Sequence, residues 1–144
     1  MKERRQIGAI AYSNDADAGL RILLVTSRET GRWVIPKGWP MKSKQPHQAA
    51  AQEAFEEAGV EGSIAKKAAG SYRYPKTLRN GEIVSCRVKV YPMQVRKLVS
   101  KWPEAAERKR QWFSTEDAAA AVLEPELADI LRSIGQTLSA PSAS

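Results

Sequence analysis

The segment from His47 to Ala58 constrains this chain more than any other. It consists of good helix formers, holds neither glycine nor proline, and ends at Gly59, where a helix needs a residue that tolerates the left-handed conformation. A helix is therefore predicted here. Ala50, Ala54 and Ala58 recur at helical spacing as an apolar stripe, and Glu53, Glu56 and Glu57 lie three and four positions apart beside it. Like charges at those spacings destabilise a helix by some tenths of a kcal/mol for each pair. A bound hard cation reverses that sign. Acidic helix faces are also common as plain solvated surface, so this pattern takes its meaning from what surrounds it.

The surroundings read as alternating strands and loops. Val84, Cys86, Val88 and Val90 alternate with Ser85, Arg87, Lys89 and Tyr91, which is the period of a strand with one apolar face. Asn80-Gly81 before it is a hairpin signal and pairs this strand with one ending near Tyr74. Gln6 to Tyr12 and Leu20 to Thr26 are two further strands, separated by a loop over Ser13 to Gly19, and Trp33-Val34-Ile35 is a short extended piece. Pro36 to Pro46, with three prolines, Gly38 and three lysines, reads as a loop. Ser114-Thr115-Glu116-Asp117 resembles a helix cap before the alanine-rich Ala118 to Leu123, and a last helix is expected from Pro125 to about Leu138. The expected fold class is α/β (α+β), a mixed sheet covered by helices. Its 144 residues suit one domain, expected over 1–138, with a disordered tail over 139–144.

Composition narrows the chemistry. Cys86 and His47 are the only residues of their kinds, which excludes an intramolecular disulfide, the usual zinc cages and a cysteine–histidine pair. Against 16 acidic residues stand 23 basic ones, a formal charge of +7 that favours an anionic partner. No apolar run approaches the roughly 18 residues of a membrane span, and the charged start lacks a secretory cleavage site, so the chain is expected in the cytoplasm without a membrane partner. No nucleic-acid module is visible, which disfavours that class of partner.

Gly38, followed at the right distance by Gln52-Glu53-Ala54-Phe55-Glu56-Glu57-Ala58-Gly59-Val60, resembles the Nudix box. That signature is a glycine, five residues, a glutamate, seven residues, then Arg-Glu-apolar-x-Glu-Glu-x-Gly-apolar. The first box glutamate falls on Lys44 and the box arginine on Gln52, two positions that usually form a structural ion pair; with both changed, neither charge is left buried alone. Leu23 to Arg28, Arg32 to Gly38, and Lys109 to Phe113 are similar to the diphosphoinositol polyphosphate phosphohydrolase branch, and branches that cut dinucleoside polyphosphates share many of these matches.

The resemblance implies a Nudix α/β/α sandwich and a phosphohydrolase that cleaves a diphosphate linkage in a small anionic phosphorylated metabolite. Glu53 and Glu57, with a backbone carbonyl around Lys37 or Gly38, would bind Mg²⁺, with Mn²⁺ as an alternative, and Glu56 would accept the proton of the attacking water or hold a further ion. Arg28, Arg32, Lys37, Lys42, Lys44 and Arg87 are the candidate substrate-binding cations, although each taken singly also fits a solvated surface charge. A nucleotide or nucleotide-sugar pyrophosphatase and a non-catalytic Nudix-like metabolite sensor remain open, as do the oligomeric state and the number of ions. Among the aromatics, Trp39 in the loop is the stacking candidate, whereas Trp33, Trp112 and Phe113 read as core.

Overall fold

The computed structural model describes residues 3–15, 17 and 19–139. Among them the chain forms the strands β1 (Glu3–Asp15), β2 (Gly19–Thr26), β3 (Trp33–Val34), β4 (Lys37–Gly38), β5 (Val60–Ile64), β6 (Gly70–Thr77), β7 (Ile83–Leu98) and β8 (Arg110–Ser114), and the helices α1 (Pro46–Ala58), α2 (Thr115–Ala121) and α3 (Pro125–Ser139). The strands share one mixed sheet. Its spine is the parallel pair β1 and β7, in register from Glu3 opposite Ser85 to Tyr12 opposite Gln94. Each of these long strands divides its outer edge between two shorter antiparallel partners. β1 meets β4 at Ile7 and Gly8 and β2 from Ala11 onward, while β7 meets β6 over Ile83–Val90 and β5 from Met93 onward.

Alternation along the strands sends apolar side chains to both faces, so the sheet must be covered twice. Ile7, Ala9, Ala11, Leu23, Val25, Tyr91 and Met93 pack under Ala49, Ala50, Ala54 and Ala58 of α1. Ile10, Ile22, Leu24, Val84, Cys86, Val88 and Val90 face the opposite way, against Ala118 and Ala119 of α2 and Leu127, Leu131 and Ile134 of α3. The result is an α/β/α sandwich. The alanine stripe of α1 is what lets that helix lie close to the sheet.

Some sequence expectations need correction. Ser13, Asn14 and Asp15 are not loop but the end of β1, because they pair with Arg21, Leu20 and Gly19. Within the proline-rich stretch, Lys37 and Gly38 form β4, their backbone groups satisfied by Gly8 and Ile7. β7 runs on to Leu98, and β5 and β8 carried too little alternation to be read as strands. The hairpin turn at Asn80-Gly81 is present, with Gly81 at φ 86°, and Ser114 caps α2 by accepting from the Asp117 N–H. Ser139 is the last residue of α3; the rest of the expected tail lies outside the described residues. No helix among the described residues is long and apolar enough to cross a membrane.

Candidate active site

The site is built on the C-terminal half of α1. Pro46 opens the helix, where its missing N–H costs nothing, and the Gln45 N–H is satisfied by the Gln48 side-chain oxygen at 2.9 Å. At the other end Gly59 takes the left-handed conformation, φ 66°, and its N–H donates to the Phe55 carbonyl. The last carbonyls would otherwise be orphaned, and the segment following β7 folds over to cap them. The Glu104 N–H donates to Glu56 O at 3.1 Å, Trp102 Nε1 to Glu57 O at 3.0 Å, and Arg110 Nη1 to Ala58 O at 2.9 Å. The Arg110 guanidinium also stacks 4.0 Å from the Trp102 ring centre and places a cation at the negative end of the helix.

This anchoring holds three carboxylates against one another. Glu57 is buried, at 6% exposure, and Glu53 and Glu56 are half-buried. Burial pushes the Glu53 carboxyl up to about 8, and the charges of Glu57 and Glu56 and hydrogen bonds with both add to the shift. Burial also raises Glu57, against the opposing pull of Arg108. The Glu53 carboxylate lies directly on Gly38 of β4, where any side chain would run into it. A side chain at position 38 would push that carboxylate away, so the glycine serves this close approach and not its backbone angles.

Around the carboxylates stands a ring of cations. Arg108, itself largely buried, reaches Glu57 at 3.6 Å and Glu104 at 2.8 Å, and its Nη1 donates to the Thr26 carbonyl. Arg28 lies 3.7 Å from Glu104 and 3.5 Å from Glu107. Lys37 Nζ sits 4.8 Å from the Tyr74 ring centre, and Tyr74 donates its hydroxyl to Gln6 Oε1 at 2.6 Å. Desolvation lowers the Lys37 pKa, while Glu57 works in the opposite direction. These groups line a cleft of about 680 Å³ that also takes in Arg32, Trp39, Lys76, Glu53 and Glu104. Acidic groups inside a basic rim can hold a hard cation and the phosphate oxygens that share it.

A model of the NUDIX domain matches residues 2–134. The chain belongs to this family. It is 32% identical over 99 residues to diphosphoinositol polyphosphate phosphohydrolase 3-beta of Bos taurus, covering 67% of this chain and 56% of that protein. It is 30% identical over 115 residues to Nudix hydrolase 16, mitochondrial, of Arabidopsis thaliana, covering 78% of this chain and 63% of that one. The chain thus spans somewhat over half the length of these relatives. Among solved folds, a C. elegans Ap4A hydrolase binary complex superposes with a TM-score of 0.69 at 22% identity, covering 94% of this chain and 97% of that one.

Within this Nudix domain the sequence candidates separate. Arg28, Arg32, Lys37, Gly38, Glu53 and Glu57 line the one cleft. Glu56 lies one step behind, its Oε1 accepting from Gln52 Nε2 at 3.0 Å. Gln52 thus stays engaged with the acidic cluster from the position of the box arginine. Lys44, in the place of the first box glutamate, is exposed, and so is Lys42; neither lines the cleft. Arg87 lies in a different cleft on the α1 side of the sheet. Arg32 lines the site but is held by a two-pronged contact with buried Glu124, 3.3 Å and 2.9 Å, at the start of α3. Sequence reasoning missed Glu104, Arg108 and Gln6. The one local signal for the first two is their spacing of four residues, in a segment without strand or helix periodicity.

Proposed function

We propose that the chain is a magnesium-dependent Nudix phosphohydrolase that cleaves a diphosphate linkage in a diphosphoinositol polyphosphate or a dinucleoside polyphosphate. The observation that carries this reading is the apposition of Glu53, Glu57 and Gly38 inside a cleft rimmed by Arg28, Lys37, Lys76 and Arg108. The donor set suits a hard cation: burial, and then the charges of Glu57 and Glu56 beside it, force Glu53 toward its protonated form. Among the described residues no three acidic, histidine or cysteine side chains close a ready-made cage. An ion held by Glu53, Glu57 and a carbonyl of β4 would keep waters and share ligand phosphates, a habit that fits magnesium, with manganese as the alternative. When bound, such an ion supplies charge neutralisation on the diphosphate and a more acidic water.

The chain's own groups do the rest. Lys37 and Arg28 hold phosphate oxygens at the cleft wall, and Trp39, 42% exposed at its rim, offers a face to a sugar or base. Glu56, in hydrogen-bond contact with Glu53, accepts the proton of the attacking water. Glu104 is the competing acceptor, since it lines the cleft, but its carboxylate is already engaged by Arg108 and Arg28.

The test is product release from a panel of diphosphoinositol polyphosphates, dinucleoside polyphosphates, nucleoside triphosphates and nucleotide sugars, with Mg²⁺, Mn²⁺ or EDTA and with Glu57→Gln as control. Turnover that needs the ion and is lost in Glu57→Gln is expected. A clear preference for nucleotide sugars defeats the substrate assignment. Tight ligand binding in Mg²⁺ with no turnover of any substrate replaces the hydrolase with a metabolite sensor.

A further inference from the structure

A second cleft, of about 610 Å³, opens on the α1 side of the sheet beyond the N-terminus of that helix. Arg5 of β1 lies opposite Arg87 of β7, and Lys89 stands one pleat further along the same face. Ser71 of β6, opposite Lys89, accepts a hydrogen bond from Arg87 Nε at 3.0 Å and so orients that guanidinium. Ile7, Pro40, Pro46, Ala68 and Ala69 supply apolar walls. Glu3 is the acid on this face, and Arg73 takes it as its partner; Arg5 and Arg87 act on it only at longer range. Among the described residues, none of Arg5, Arg87 and Lys89 is engaged in an ion pair.

Three exposed cations lining one concave surface repel each other and are stabilised by a shared anion. The place of this cleft says which anion. Gln6 and Pro40 border both it and the carboxylate cleft. Lys89, Ile7 and Gly38 form one row across the sheet, which puts the Lys89 and Gly38 backbones about 10 Å apart, two strand spacings. We infer that Arg5, Arg87, Lys89 and Ser71 form a second phosphate-binding site, taking the distal phosphate groups of a polyphosphorylated small molecule whose diphosphate end lies at Glu53 and Glu57. The ligand class rests on the function proposed above; the binding site itself does not.

Calorimetric titration of the full chain with inorganic tripolyphosphate in EDTA tests the site without any turnover. Wild-type protein binds, and Arg5→Gln/Arg87→Gln/Lys89→Gln weakens binding at least about tenfold. The charge-matched Arg96→Gln/Lys97→Gln/Lys101→Gln, on exposed residues elsewhere, changes it less than about twofold. Amide shifts on titration of the wild type centre on Arg5, Ser71, Arg87 and Lys89, a readout that stands if the triple variant fails to fold. No binding by the wild type, equal weakening in both triple variants, or shifts centred on Arg28 and Lys37 overturn the inference. A chain that binds tripolyphosphate here and hydrolyses nothing sinks the hydrolase reading alone. One that hydrolyses the panel but binds no tripolyphosphate at this cleft sinks this inference alone.

Discussion

Glu53 concentrates the residue-scale physics of this protein. It is pressed between two carboxylates and a glycine backbone, so its charge is tolerable only with a cation beside it. Its folded pKa of about 8 lies above the ordinary 4.5 of the unfolded chain. For an acid shifted upward, the favourable contribution to stability is complete below about 4.5 and is lost as the pH climbs through about 8. Metal-free protein should therefore melt at a falling temperature between pH 5 and 8, with a shallower fall in Glu53→Gln. Mg²⁺ should restore more stability at pH 8 than at pH 5. Equal slopes for wild type and Glu53→Gln in EDTA would contradict the assignment. Gly38→Ala tests the other side of the contact. Its added methyl displaces the Glu53 carboxylate while the backbone angles at residue 38 remain open to alanine. The fold should survive and Mg²⁺ affinity should drop by about tenfold or more, measured by titration calorimetry.

At the scale of elements, α1 was the most legible part of the chain. Helix formers, an alanine stripe and a glycine stop are local signals, and they agreed with the packing that formed. The strand around Val88 was legible for the same reason, since its alternation is local. β5 and β8 were not, because short strands with mixed exposure become strands only through their neighbours. The capping of α1 was also invisible: Trp102 and Arg110 lie some fifty residues from the carbonyls they satisfy. Removing the indole donor with Trp102→Phe should cost about 1 kcal/mol, and Arg110→Ala about 2 kcal/mol because a charged donor is lost at the helix end. Urea denaturation checks both. A neutral Arg110→Ala would show that water caps Ala58 equally well.

On the scale of the whole molecule, long-range ion pairs decide how the layers meet at the site. The contact of Arg32 with Glu124 ties the segment before β3 to the start of α3, across the sheet face opposite α1. Glu124 is buried, so Arg32→Ala leaves an uncompensated carboxylate and should cost about 2 kcal/mol, somewhat less than a fully buried pair because Arg32 itself is partly exposed. Arg32→Ala/Glu124→Gln should recover most of that loss. A stability change near zero for Arg32→Ala would free this arginine for the ligand role its position in the cleft suggests.

The sequence by itself determined the helix with its three glutamates, the strand periodicity around Val88 and, through these, the mixed sheet covered by helices, because the periodicities are written in spacings of two to four residues. Only the tertiary structure decided which charges meet. It brought Glu104 and Arg108 to Glu57, locked Arg32 onto Glu124, left Lys42 and Lys44 in solvent, and sorted Arg28 and Arg87 into different clefts. The physical reason is that an ion pair depends on where the chain returns after tens of residues. That return is set by sheet register and by the packing of two faces, neither of which leaves a mark on the local spacing of charges.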